Sequence, residues 1–428
     1  MSGGTTRRGF VVGCSAAIAS LAGSRLSGVV LSPGPEGHEG EIIVVLSLRG
    51  GMDALSLVMP IDGEDRTHYE IARPQLEIPI SGTGAALPLD GFFGLHPSAA
   101  PLLELFDSGK VAIVNAAGAI DLTRSHFQAM ENIDHGQPQS PDGSGWLTRH
   151  LDTANLPPDV LLPSLSIGSI QHAALDGDLR GVNMRDVNSF SLETGAPAWR
   201  SAQRSALRNI YSGNFTDLHT SGIQALDALD LVELYVTEDY VPANGAAYPE
   251  SGFGANLQAI AQMIKLDLGV QVATVTIGGW DTHESQAEGA TGYFADMIDN
   301  MTRGLLAFYT DLDGVGANNY TSRLTVVVQS EFGRKLRENA DFGTDHGHGG
   351  TILVISGNAI GGVHGVWPGL ANEQLFDGTD LEVTTDYRQI LSEILIRRAG
   401  NPNLSVIFPG YEGYEPLGIV QGVDLPPV

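Results

Sequence analysis

Ile42-Ile43-Val44-Val45-Leu46-Ser47-Leu48, running into Arg49-Gly50-Gly51-Met52-Asp53, is the stretch on which the fold turns. The run is almost unbroken apolar, with no alternation of polar and apolar positions, so a strand here has no face for water. Strands in the middle of a parallel sheet, covered on both sides, read this way. The glycine pair permits tight backbone geometry, and a carboxylate, Asp53, leaves the carboxyl end of the strand. Similar runs recur at Val111 to Ala116, Val272 to Ile277, Leu324 to Val328 and Ile352 to Ile355. Between them lie helical spacings: Leu257, Ile260 and Ile264 on one face, and Phe294, Met297, Ile298, Met301 and Leu305 on another. Strands alternating with helices predict a doubly wound, mostly parallel α/β sheet sandwiched by helices.

Working outward, residues 137–163 are rich in Pro, Gly and Asp and read as a long loop or small insertion. Residues 199–254 read as a second insertion, with two helices from Trp199 to Tyr235 that could cap the sheet. The body from 41 to 428 is expected to be one α/β domain carrying both insertions. Hydrophobic residues make up 42% and charged residues 17%, a globular composition. The net charge of −27 argues against nucleic acid and anionic membrane surfaces as partners. It also makes an anionic substrate uncomfortable unless a metal supplies local positive charge.

At the amino end, Thr6-Arg7-Arg8-Gly9-Phe10 places two arginines directly before an apolar stretch, Phe10 to Leu21. A basic segment followed by roughly a dozen apolar residues reads as a signal peptide, too short for a membrane span. The paired arginines select the twin-arginine export machinery as the route. The expected organisation is a signal over 1–22, a linker over 23–40, and a mature protein that is periplasmic, cell-surface or extracellular, with no transmembrane segment. The single cysteine, Cys14, falls in the signal, so thiolate chemistry and Cys-ligated metals are excluded from the mature chain.

In an open α/β sheet ligands sit beyond the carboxyl ends of the strands, so the polar residues there are the candidates. Asp53 follows the first strand. Val272 to Ile277 leads into Gly278-Gly279-Trp280-Asp281-Thr282-His283-Glu284, which offers a hard oxygen and an imidazole nitrogen close together. Leu324 to Val328 leads toward Ser330-Glu331-Phe332-Gly333-Arg334, another acid at a strand end. A glycine-flanked loop, Thr344-Asp345-His346-Gly347-His348-Gly349, carries three potential ligands within four residues. His364 is a weaker addition. Each cluster alone could be an ordinary turn or a hydrogen-bonded Asp–His pair. Together they predict a carboxylate/imidazole site for two divalent ions, with zinc, manganese, iron or calcium as candidates.

A nucleophile would come from Thr123-Arg124-Ser125-His126-Phe127-Gln128. Ser125 with Gln128 three residues on reads as a capping box. It also reads as a hydroxyl at a helix N-terminus, where the dipole and a nearby metal favour the alkoxide. His126 could act as base or ligand, and Arg124 or Arg49 could hold an anionic oxygen. No G-x-S-x-G elbow, P-loop or G-x-G-x-x-G follows a strand, so nucleotide cofactors lack support.

These motifs, in this order, carry a resemblance. Arg7-Arg8-Gly9-Phe10, Leu48 to Asp53, Gly94-Leu95-His96-Pro97, Ser125-His126-Phe127, Gly145 to Arg149, Gly279 to Glu284, Ser330 to Arg334, Gly343 to Gly349 and Trp367-Pro368-Gly369-Leu370 form the series. The chain resembles, from about Ile42 to about Gly400, the exported bacterial family known as the domain of unknown function numbered fifteen hundred and one. That family is similar to the alkaline-phosphatase and sulfatase-like superfamily, whose members bind two metals at the carboxyl ends of a parallel sheet. The resemblance implies that Asp53 matches the first-strand aspartate and that Asp281 and His283 match a first-metal pair. Glu331 or Asp345-His346 matches the second-metal motif, and Ser125 or Thr123 the nucleophile. The expectation is an exported metal-dependent hydrolase of phosphate or sulfate esters acting on a small anionic ester. The alternative is a secreted binding or surface-assembly protein with the same fold and no turnover.

Overall fold

In the computed structural model, the residues described are 40–428 apart from 138–142, 157–159, 186, 188–189, 191–196, 214–215 and 237. The expected signal segment, with Cys14, and the linker up to residue 39 lie outside the described residues. The opening apolar run forms β1 (Ile42–Leu48) at the middle of a nine-stranded sheet. Its side chains alternate between two cores. Ile42, Val44, Leu46 and Leu48 pack with α7 (Gly252–Lys265) and α8 (Tyr293–Leu312). Ile43 and Val45 pack with α4 (Trp146–Thr153) and α9 (Tyr387–Arg397). Burial on both faces is why the run shows no period of two.

The remaining strands of the sheet are β2 (Val111–Gly118), β3 (Ser164–Ile167), β4 (Val182–Met184), β5 (Val272–Ile277), β6 (Leu324–Ser330), β9 (Gly350–Ser356), β10 (Gly362–His364) and β11 (Thr385–Asp386). Spatial order is β10-β2-β9-β6-β1-β5-β3-β4, with β11 beside β2. β1, β3, β4, β5 and β6 run parallel, and β10 and β11 are parallel to β2. The sheet is mixed and mostly parallel, with helices on both faces.

Two expectations change. The run at Ile352 to Ile355 is β9, which pairs antiparallel with both β2 and β6. The reason is the connection. Between β6 and β9 the chain makes only the hairpin β7 (Arg334–Glu338) and β8 (Thr344–His346). Without a crossover to the far end, the chain re-enters the sheet where it left and must run back. The stretch read as a loop at 137–163 contains the buried helix α4, with Trp146, Leu147 and Leu151 in the core. Its Pro- and Gly-rich flanks concealed it. The two helices expected from Trp199 to Tyr235 are present as α5 (Arg200–Tyr211) and α6 (Asp217–Tyr235). They are tied together by Arg204 and Arg208 on Asp230. Among the described residues no helix is long and apolar enough to cross a membrane.

Asp53 ends inside the body of the protein. Its side chain is fully buried and bonds both terminal nitrogens of Arg73, at 2.6 and 2.9 Å, just beyond α1 (Gly63–Ala72). Ser56 and Gln286 donate to the same carboxylate at 2.7 Å each. Burial works against the charge, but the Arg73 guanidinium overcomes it and holds the Asp53 carboxyl below the usual range. Its contribution to stability is therefore complete above the unfolded-state pKa of about 4 and is lost as pH falls through the folded-state value. Asp53→Asn leaves a buried, unpaired guanidinium and is predicted to cost about 3–5 kcal/mol in urea unfolding at pH 7. A loss below about 1 kcal/mol would show that the pair holds little.

His96 and His150 carry a second pH signature. Both are buried, and burial lowers their imidazoles to about 4, with the charge of Arg180 adding to the effect at His150. Neutral in the fold, they take up protons more readily when unfolded. Each contributes stability that is full above about pH 6.5 and declines as pH falls to 4, by about 3 kcal/mol in all. Urea unfolding of His150→Asn should show a shallower loss between pH 6.5 and 4 than the parent; an equal slope would exclude this histidine as its source.

Candidate metal centre

The glycines after β1 let three strand ends meet. Gly50 has φ 125°, and a Cβ there would sit 2.3 Å from the backbone nitrogen of Asp281. Gly347 lies so close to Arg334 that a Cβ would come within 2.3 Å of its carbonyl carbon. The ends of β1 and β5 and the β7–β8 hairpin are thus pressed into backbone contact. Arg334 and His346 are paired across that hairpin, which carries His346 above the sheet. His126 arrives from the other side, as the first residue of α3 (His126–Asp134).

These elements converge on Asp281. Its Oδ1 lies 2.6 Å from Arg334 Nη2, 3.1 Å from His346 Nε2, 3.1 Å from His283 Nε2 and 3.4 Å from His126 Nε2. Ligand atoms of His126, Asp281 and His346 all lie within 4.8 Å of one another, a possible metal-binding triad. His283 borders it, with its Nε2 2.9 Å from that of His346. Burial opposes charge on Asp281, but the hydrogen bond and the charge of the Arg334 guanidinium prevail and hold its carboxyl down to about 2.

The outer nitrogens settle the imidazole chemistry. His126 Nδ1 faces Glu331 Oε1 at 2.7 Å, His346 Nδ1 faces the Arg124 carbonyl at 2.9 Å, and His283 Nδ1 faces Asp345 Oδ1 at 3.3 Å. Each Nδ1 has an acceptor before it and so carries the proton, leaving Nε2 as a bare lone pair turned inward. Burial lowers the pKa of His346 and favours its neutral form. His126 Nε2 is buried without a hydrogen-bond partner. An orphaned lone pair, two Nε2 atoms facing each other and an adjacent carboxylate oxygen form a donor set that suits a divalent cation. Phe332 walls the centre, its ring 4.9 Å from those of both His126 and His346.

The candidates sort into roles. Asp281, His126, His346 and, at the border, His283 are brought together. Glu331 and Asp345 stand one layer out and orient imidazoles; Glu331 also accepts from Gly50 N–H at 2.8 Å. Asp53 is not brought to the centre, since Arg73, Ser56 and Gln286 occupy its oxygens. His348 stacks on Phe376 at 4.4 Å, and His364 bonds the Ile360 carbonyl. Among the described residues one such donor group occurs where a two-ion site was expected. Arg124 contributes its carbonyl to His346, while its guanidinium pairs with Asp380. Ser125 is exposed at the N-cap of α3 and makes no capping bond, so the expected capping box is absent; Thr123 Oγ1 bonds Gln128 instead.

Arg334 was missed as a site residue. Its signal was position: a basic side chain three residues after a strand-end acid, in a chain with 23 basic against 50 acidic residues.

Equilibrium dialysis of chelator-stripped protein against zinc or manganese should show saturable binding. His126→Ala and His346→Ala should each weaken it by about 100-fold or more, and Glu331→Gln by about 10- to 100-fold. Unchanged affinity in folded His126→Ala and His346→Ala would show that ions bind elsewhere.

A family model described as "Protein of unknown function (DUF1501)" matches residues 41–399. No curated protein matches the chain significantly. The family match takes in β1, all three residues of the triad and α9, and on that extent the protein belongs to the DUF1501 family.

Proposed function

We propose that the protein is an exported, metal-dependent hydrolase of phosphate or sulfate esters, of the alkaline-phosphatase and sulfatase-like kind. The observation that carries this reading is the placement of Arg124-Ser125-His126. Arg124 bonds His346 through its carbonyl, and His126 belongs to the triad, so the exposed Ser125 is flanked by two residues that touch the centre. Position of the centre at the carboxyl ends of parallel strands supports the same reading. The arginine pair at 7–8 before an apolar stretch supports export through the twin-arginine route.

Imidazole nitrogens with one carboxylate favour zinc, manganese or iron over calcium, which prefers an all-oxygen shell. A divalent ion in this place supplies Lewis acidity to an ester oxygen and lowers the pKa of an oxygen nucleophile. The chain's own residues do the rest. Ser125 presents a hydroxyl at the start of α3, where the helix dipole favours developing negative charge. Glu331 and the Arg124 carbonyl hold His126 and His346 in one tautomer. Arg334 keeps Asp281 ionised and in place. Phe332 limits water on one side of the centre.

Metal-loaded protein should hydrolyse p-nitrophenyl phosphate or p-nitrophenyl sulfate. Ser125→Ala should lower kcat by about 10³-fold or more with metal content unchanged. Full activity in Ser125→Ala would remove the serine from the chemistry. Absence of turnover on both esters, with the ion bound, would overturn the hydrolase reading in favour of a binding protein.

A further inference from the structure

The same sheet carries a second polar feature that uses none of the triad. Ser47 pairs with Thr276 and Ser166 with Thr274 across neighbouring strands. Ser47 and Arg49 are two residues apart, so Arg49, Ser47, Thr276, Thr274 and Ser166 form a polar stripe near the carboxyl ends of β1, β5 and β3. Arg49, Ser166, Thr274 and Thr276, together with His172 and Asn256, line a cleft of about 290 Å³. This lies near the lower end of the range for small-molecule pockets, about 300–1,000 Å³.

The hydrogen bonding in this cleft is unbalanced toward donors. Arg49 makes no side-chain hydrogen bond or ion pair with a described residue, and its Nε is buried without a partner. The hydroxyl of Thr274, 1% exposed, is also buried without a partner. His172 Nδ1 accepts from Ala174 N–H, so its Nε2 carries the proton and donates to Ser47 Oγ at 2.8 Å. That leaves the Ser47 hydroxyl proton without an acceptor. Ser166 Oγ likewise accepts from His172 N–H. Asp134, in α3, lies 3.7 Å from His172 Nδ1 and lines a narrow gap with Arg49, but makes no hydrogen bond to either. Buried polar groups are normally satisfied, and the unpartnered Arg49 Nε and Thr274 hydroxyl suit a partner rich in oxygen lone pairs.

We propose that this cleft binds the oxyanion group of a small ligand, a sulfate, phosphate or carboxylate, with Arg49 as its principal contact and Thr274 and Ser166 as neutral donors. A cation would be repelled by Arg49, and an apolar ligand would leave Arg49 and Thr274 unsatisfied. The assignment stands apart from the hydrolase reading, since it involves no turnover and no triad residue. Arg49 also borders a narrow gap lined by Ser330 and Glu331, so the cleft and the metal centre share the end of β1.

The test is calorimetric titration of chelator-stripped protein with sodium sulfate, sodium phosphate or sodium acetate at matched ionic strength. At least one anion should bind saturably with one site per chain. Tetrahedral ions without acetate would identify a sulfate or phosphate group; acetate alone would identify a carboxylate. Arg49→Met should weaken binding by about tenfold or more, and Thr274→Val by a smaller factor, while His346→Ala leaves it unchanged. Thr274→Val keeps the test open should Arg49→Met fail to fold. Absence of binding by all three anions would overturn the proposal. So would binding that survives both cleft variants, or binding lost in His346→Ala.

Discussion

Everything at the candidate metal centre depends on one buried guanidinium. Arg334 is 1% exposed and sits where the loops after β1 and β5 meet the β7–β8 hairpin. Its Nε donates to the Gly51 carbonyl at 2.6 Å, and its Nη1 to that of Thr344 at 2.6 Å. Its Nη2 serves the carbonyls of Gly50 and Trp280 and the Asp281 carboxylate. A planar fork reaching four carbonyls and one carboxylate has no equivalent in a lysine ammonium, which is a compact point charge. The guanidinium satisfies loop carbonyls that would otherwise be buried unpaired, and it fixes the ligand oxygen around which the imidazoles assemble. It also explains the glycines. Loops drawn this tightly around one side chain leave no room for a Cβ at Gly50 or Gly347.

The carboxylates illustrate how one residue type divides by surroundings. Asp53, Asp281, Glu331 and Asp345 all look alike in sequence, as acids near a strand end or in a glycine-rich loop. Asp53 faces Arg73 and becomes half of a buried ion pair. Glu331 and Asp345 face imidazole Nδ1 atoms and fix tautomers. Asp281 alone keeps an oxygen turned toward several Nε2 atoms. What separates them is the partner across the gap, and that partner is 20 residues away for Asp53 and 205 for Glu331.

This also marks how far the sequence could be read. The two-faced burial of β1 was legible because an unbroken apolar run has no other use in a short strand. The helices α7 and α8 were legible from their spacing. The direction of β9 was not, since a short apolar strand looks the same whichever way it runs, and only the hairpin before it decides. In the centre, Asp281, His283 and His346 were visible as donor types in loops that follow strands. His126 was visible only as an ambiguous base or ligand. The Arg124 carbonyl that orients His346 was invisible, because a main-chain acceptor leaves no mark in residue identity.

The charge of the chain bears on what the centre can receive. At −27 overall, the protein repels an anionic ester at long range. Close in, the balance differs. Arg334 offsets Asp281, Lys335 lies 3.9 Å from Asp345, and burial favours the neutral form of His346. A divalent ion added to such a set would leave a local excess of positive charge in an otherwise acidic surface. Imidazole donors, which bring no negative charge to an ion, thus have a consequence beyond ligation. A shell of carboxylates would cancel the ion's charge, whereas imidazoles pass it on to whatever oxygen approaches.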